Sequence, residues 1–123
     1  MMQDLVGIVR REEEMLRALA GLAKLRERAQ RLKVPGNREY TPGWHTALDL
    51  HNLLTVSEAI TRAAVIRQES RGGHFRDDHP AKSERFGRVN LVVRKGLDGR
   101  MQIEETPIPA MPAELQQIIK EMQ

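Results

Sequence analysis

Residues 15–32 read MLRALAGLAKLRERAQRL, and this stretch decides the class of the fold. Its leucines recur at steps of three and more residues along one side of a helix, at Leu16, Leu19, Leu22, Leu25 and Leu32. This spacing, with charged residues between, is typical of an amphipathic helix that buries one face. The stretch therefore predicts a long helix that needs a second apolar element as its partner.

The helical pattern extends from Gln3 to Val34, with a break or bend expected near residues 10–13. The sequence there is Arg-Arg-Glu-Glu without an apolar residue, and a third glutamate follows. Glutamates favour the start of a helix because they complement the positive end of its dipole. Pro35 and Gly36 end the pattern, since proline cannot continue the helical hydrogen bonds and glycine tolerates left-handed conformations.

A second long helix is predicted over residues 42–68, followed by a polar loop up to Gly87. Two short strands are then predicted, at residues 89–93 and 101–103, on either side of the hairpin signal Asp98-Gly99. A proline-rich connector leads to a short last helix from Pro112 to about Met122. The apolar side of the second helix comprises Leu50, Leu53, Leu54, Ile60, Ala63, Ala64 and Ile66.

These elements predict a mainly α fold: an antiparallel helical bundle of two long helices with short terminal helices and one β-hairpin. The chain has 123 residues, which by length is a single domain spanning residues 1–123. Within it, residues 1–88 form the helical part with its polar loop, and residues 89–123 form the hairpin and the terminal helix.

Composition excludes several classes of function. The chain has no cysteine, which removes disulfides, thiol nucleophiles and cysteine-based metal sites. Aromatic residues make up only 3%, so a base-stacking surface for single-stranded nucleic acid is not expected. The net charge of +3 comes from 20 basic and 17 acidic residues, a mixed surface that argues against nucleic acid. No apolar stretch is long enough to span a membrane, so we expect no direct membrane insertion and a cytoplasmic location.

The densest polar segment is ESRGGHFRDDHP at residues 69–80. A metal site formed by His74, Asp78 and His79 is disfavoured, because the flanking arginines oppose a cation. A phosphate cradle at Gly72-Gly73 is disfavoured too, because these glycines follow a helix and so lie at the wrong end of its dipole. Physics alone favours a helix cap followed by an ion-paired surface loop.

The same segment carries a resemblance to a known family. Residues 52–80, with Asn-Leu-Leu-Thr-Val-Ser-Glu-Ala and then Gln-Glu-Ser-Arg-Gly-Gly-His-Phe-Arg-Asp-Asp-His-Pro, resemble the C-terminal helical domain of succinate dehydrogenase and fumarate reductase flavoprotein subunits. The opening residues 2–10 resemble the start of that domain. Gly73 stands where alanine is commoner, and His79 where an aromatic residue is usual. L-aspartate oxidase shares the motif and is the nearest rival.

The resemblance implies a parent enzyme that binds FAD, interconverts succinate and fumarate, and passes electrons to an iron–sulfur subunit on the cytoplasmic face of the membrane. In that family the flavin-binding and capping domains precede this region, and no G-x-G-x-x-G occurs here. We therefore expect a domain excised from a longer chain, with no cofactor of its own and no activity alone. A free-standing helical adaptor or nucleic-acid-binding module is the alternative of another class.

If the domain packs on such a body, its polar loop is the expected interface. A loop this rich in donors costs ordering entropy, which solvated surface pairs barely offset. Docking would partly desolvate those pairs and make each of them matter more. The predicted interdomain interface consists of Arg71, Gly72, Gly73, His74, Arg76, Asp77 and Asp78.

Overall fold

The computed structural model describes residues 1–37 and 39–122 and confirms a mainly α fold. Helix α1 spans Met2–Leu5, strand β1 Val9–Arg10 and helix α2 Glu12–Gln30. The predicted break exists, but it is longer and begins earlier than expected, since residues 6–11 between α1 and the three glutamates of α2 are not helical. Helix α2 ends earlier than Val34, because Leu32 bonds to the carbonyl of Ala29 in a tightened last turn and Pro35 favours an extended Val34.

The second long helix, α3, spans Pro42–Ile66. Pro42 occupies the first turn, where its missing N–H leaves no helical bond unmade. The helix ends two residues before the predicted Gln68, because Arg67 adopts an extended conformation. That early end leaves the last carbonyl groups of α3 open to other donors.

Helices α2 and α3 pack antiparallel, as predicted. Met15, near the start of α2, shares an apolar cluster with Ala64, near the end of α3. Ala29, at the other end of α2, shares a second cluster with Leu54. Alanines at these positions allow the helices to approach closely. The core is therefore a narrow seam along the helix pair, sealed at one end by Val6 after α1.

Strands β1 and β2 form a parallel pair that the sequence analysis missed. Strand β2 is Phe75–Arg76, with Val9 opposite Phe75 and Arg10 opposite Arg76. The amide of Asp77 extends the pairing by bonding to the carbonyl of Arg10. The pairing holds the polar loop against the segment between α1 and α2.

The predicted hairpin is confirmed and longer than expected. Strand β3 spans Val89–Lys95 and pairs antiparallel with β4, Met101–Pro107, in the register Val89 to Pro107 and Lys95 to Met101. A short 3-10 helix, Phe86–Arg88, precedes it. Gly99 has a φ of +76, which explains the need for glycine in the Asp-Gly turn.

The last helix, α4, spans Ala113–Glu121, close to its predicted range, and none of its residues is buried. Pro107 belongs to β4 instead of the connector where we expected it. Among residues 1–37 and 39–122, no helix is both long and apolar enough to cross a membrane.

Candidate functional site

The polar loop begins with a tight hairpin turn at residues 71–74. The Arg71 amide donates to the His74 carbonyl at 2.8 Å, and the His74 amide donates back to the Arg71 carbonyl at 3.1 Å. Gly72 has a φ of +59, which the first central position of such a turn requires of glycine. A Cβ atom added at Gly72 or Gly73 would meet no atom within 4 Å outside the neighbouring residues. The tip of this turn therefore presents open backbone to its surroundings.

Glu69 lies at the base of this turn and is fully buried. Arg67 donates to its Oε1 at 2.6 Å, Arg71 donates to both oxygens at 3.1 Å, and the Ser83 amide donates to Oε2 at 2.9 Å. Burial alone would raise the pKa of Glu69, but these hydrogen bonds outweigh it and lower the pKa to about 2. Glu69 is thus ionised at neutral pH and joins the end of α3 to the loop.

Arg76, in β2, is also fully buried. Its Nε and Nη2 donate to the two oxygens of Asp78 at 2.6 and 2.7 Å, a bidentate pair. Its Nη1 donates to the carbonyls of Ala64 and Val65 at 2.9 and 3.1 Å, and Nη2 approaches Glu12 at 3.4 Å. One guanidinium therefore satisfies the open carbonyls of α3 and joins both long helices.

Asp77 and Asp78 connect the loop to the start of α2. Asp78 accepts the backbone N–H of Glu12 at 3.0 Å, so it caps α2 from a distant part of the sequence. The Asp78 pKa lies far below its usual value, first because Arg76 donates to the carboxylate and also because the Glu12 amide does. Asp77 forms an exposed ion pair with Arg11.

His74 bridges two segments through its ring nitrogens. Its Nδ1 lies 2.7 Å from Nη1 of Arg10, and its Nε2 lies 2.9 Å from the carbonyl oxygen of Arg67. Arginine can only donate, so Nδ1 accepts, Nε2–H donates and the ring is neutral. Burial lowers the pKa of His74, and the charges of Arg10, Arg76 and Arg67 lower it further, against the carbonyl bond that raises it.

Glu12, Asp78 and His79 bring ligand atoms within 4.8 Å of one another, a different group from the His74, Asp78 and His79 set that the sequence disfavours. Arg76 already donates to both carboxylates of this group. The carboxylate oxygens that a cation would use are therefore already engaged by a guanidinium group. This cluster is accounted for as part of the ion-paired network.

The structure brings the predicted interface residues together but turns them in different directions. Arg76 points into the chain, and Arg71, His74 and Asp78 bond within it. We call the hydrogen-bonded set made of these four residues and of Arg10, Glu12, Arg67 and Glu69 the loop network. The sequence analysis did not single out the latter four. Arg10 and Glu12 belong to the charged run after Val9, and Glu69 is the glutamate before Ser70.

Apolar side chains lie exposed beside the loop network. Ile8 and Val9 are 75% and 57% exposed, and Phe75, paired with Val9, is exposed as well. We call Ile8, Val9 and Phe75 the strand patch. Exposed apolar residues that cluster next to an ordered loop often mark a contact surface.

Comparison with known proteins confirms the family resemblance that the sequence shows. A family model described as the fumarate reductase flavoprotein C-terminal region matches residues 1–120. The chain is 34% identical over 90 residues to a component of the CoM/CoB fumarate reductase of Methanothermobacter marburgensis, covering 73% of the chain. It is 30% identical over 111 residues to L-aspartate oxidase of Streptomyces coelicolor, covering 90% of the chain. It spans 16% and 19% of the lengths of those relatives.

Solved structures give the same result at the level of the fold. Sdh1 of Mycobacterium smegmatis, in a complex with UQ1, superposes with a TM-score of 0.88 at 37% identity, over 97% of this chain and 20% of that one. The FrdA chain of E. coli quinol fumarate reductase, carrying an E245Q mutation, superposes with a TM-score of 0.72 at 26% identity. This superposition covers 90% of this chain and 20% of the FrdA chain.

Proposed function

This chain belongs to the family of fumarate reductase flavoprotein C-terminal domains, and from that premise we propose that it is the supporting C-terminal domain of an FAD-dependent enzyme interconverting succinate and fumarate. The observation that carries the proposal is the match of the family model to residues 1–120. The small share of its relatives' length that the chain spans supports one domain of a longer polypeptide.

We place the flavin outside these residues. A dinucleotide site needs a glycine-rich turn between a strand and a helix, with the phosphates at the helix N-terminus. In the described part of the chain, the short link from β1 to α2 has no glycine, and Gly72 follows the end of α3. The role of this domain would then be to pack against the flavin-binding and capping domains, while electrons pass to an iron–sulfur subunit on the cytoplasmic face of the membrane.

The experiment is to express the chain together with the residues encoded upstream of it. We expect a yellow protein that retains FAD and reduces an artificial acceptor with succinate. A colourless product that contains a complete flavin fold would contradict the proposal. A nucleic-acid-binding module would instead bind duplex or single strands tightly at low salt and release them as salt rises.

L-aspartate oxidase is the second candidate, because the Streptomyces coelicolor enzyme matches 90% of this chain. The same full-length protein distinguishes the two. Oxidation of L-aspartate without turnover of succinate would assign this branch, and turnover of succinate alone would assign the other.

We propose that the docking face of the domain is the strand patch together with the Gly72–Gly73 turn. The network arginines and His74 are tied inside the domain, so Arg71→Ala or His74→Ala would weaken the isolated domain as well. Ile8 and Val9 are exposed, so replacing both by serine changes little in the isolated domain. In the full-length protein, the same change should lower flavin retention.

The matched control is Leu97→Ser, at the fully exposed tip of the β3–β4 hairpin. It also replaces an exposed aliphatic side chain by serine, but away from the strand patch. We expect flavin retention and melting temperature to stay as in the unmodified full-length protein. Equal losses in the control and the Ile8→Ser/Val9→Ser variant would refute docking through the strand patch.

A further inference from the structure

A groove of about 860 Å³ lies between the helix pair and the turn end of the β3–β4 hairpin. Its walls come from α2, α3, both strands and the hairpin turn, and it contains no residue of the loop network. The groove is therefore a separate surface from the proposed docking face.

The charged residues of the groove are nearly all cationic. Its lining contains one carboxylate, Glu58, against five basic side chains. Arg26 and Arg62 each lie 2.8 Å from Glu58, so the carboxylate fixes both guanidinium groups in place from opposite helices. The other three cations belong to the hairpin and are Arg94, Lys95 and Arg100.

The hairpin cations are only weakly neutralised. Arg94 lies 3.6 Å from Glu104, and Arg100 lies 3.9 Å from Asp98, both at exposed positions. Such pairs contribute little and exchange readily with other partners. Lys95 has no ion pair among the residues described. The hairpin side of the groove therefore offers positive charge to an incoming anion.

The groove also exposes apolar surface between its cations. Val56 is 57% exposed and lines the groove together with Ala59, Val93 and Met101. Val56 continues into an exposed stripe of α3 that includes Leu53 and Ile60. A small anion would leave this apolar surface uncovered, whereas a chain segment with both kinds of side chain would cover it.

We propose that this groove binds an acidic amphipathic segment of a partner polypeptide. Its carboxylates pair with Arg94, Lys95 and Arg100, and its apolar side chains cover Val56 and Val93. Complementary charge favours the encounter of the two partners and orients the segment, and the apolar contact removes apolar surface from water. This assignment does not depend on which reaction the parent enzyme catalyses.

The test is fluorescence anisotropy with the 123-residue chain and a short labelled peptide that carries glutamates on one helical face and leucines on the other. We expect saturable binding that weakens about tenfold in Arg94→Glu/Arg100→Glu, since two weakened contacts together amount to roughly 1.4 kcal/mol. Val56→Ser should also weaken it, because the apolar contact is reduced.

The matched control is Arg28→Glu/Arg31→Glu, at an exposed position near the end of α2 and at the residue that follows it, which makes the same change of charge outside the groove. It should bind the peptide as tightly as the unmodified chain does. Equal weakening in both double variants would mean that the peptide responds only to the net charge of the chain, and this would overturn the proposal. Binding to phosphatidylserine vesicles that depends on Arg94 and Arg100, with none to the peptide, would overturn it in favour of a membrane surface.

Discussion

At the scale of single residues, Glu69 joins α3 to the polar loop by accepting hydrogen bonds from Arg67, Arg71 and the Ser83 amide. Removing its charge by Glu69→Gln leaves Arg67 and Arg71 without their shared carboxylate. We expect the free energy of unfolding to fall by about 2–3 kcal/mol at pH 7, below the cost of a wholly buried pair because both arginines are partly exposed. Urea unfolding followed by circular dichroism measures the change.

The control for this substitution is Glu84→Gln, which removes a carboxylate that is 93% exposed and lies 3.8 Å from Arg88. It should leave the unfolding midpoint where it was. If Glu69→Gln behaves like Glu84→Gln, the buried carboxylate does not hold the loop to α3.

The residue scale also shows how far the sequence could predict the site. The charge density at residues 69–80 predicts an ion-paired loop, and the ion pairs of Glu69 and Arg76 confirm that pairing. It could not show that Glu69 and Arg76 are fully buried, since charged residues of these types are almost always exposed unless paired. Arg10, which bonds His74, and Glu12, which bonds Arg76, each lie 64 residues from their partner in the sequence, so only the tertiary fold brings them together.

At the scale of elements, the predictable parts have a strong local signal. The two long helices follow from apolar periodicity, and the β3–β4 hairpin follows from Asp98-Gly99. The β1–β2 pair was missed because each strand has two residues, too few to show any alternation. Such a pair forms only because α1, α2 and the loop already hold its strands together.

Helix α4 is expected to add nothing to the stability of the isolated domain. Its apolar residues Leu115, Ile118 and Ile119 share one side of the helix, and all are exposed. Deleting residues 111–123 should therefore leave the thermal midpoint unchanged. Differential scanning calorimetry checks this.

A deletion of residues 101–123 provides the comparison. It also removes β4, so it unpairs β3 and takes Met101 and Ile103 away from α3. We expect the thermal midpoint to fall clearly when residues 101–123 are deleted. A comparable fall after the shorter deletion would mean that α4 packs on the domain.

At the scale of the whole molecule, the seam between α2 and α3 is narrow, and the loop network closes one end of it. Three groups of that network that titrate below neutral pH have pKa values lower than their usual ones: Glu69, His74 and Asp78. A group with a lowered pKa stabilises the fold above its unfolded pKa and loses that contribution as the pH falls towards its folded pKa. All three effects therefore have the same sign and make the fold sensitive to acid.

The expected result is a loss of stability in two steps as the pH falls. His74 acts first, below its usual pKa of 6.5, because the unfolded chain takes up a proton that the neutral ring in contact with Arg10 and Arg67 resists. Glu69 follows below 4.5, down to its folded pKa of about 2, and Asp78 adds to the same step below its usual pKa of 3.8. Urea unfolding at a series of pH values measures both steps, and His74→Gln should remove the first while keeping the second. If stability instead increased as the pH falls from 6.5 to 5, the folded chain would favour the protonated ring, and the lowered pKa of His74 would be contradicted.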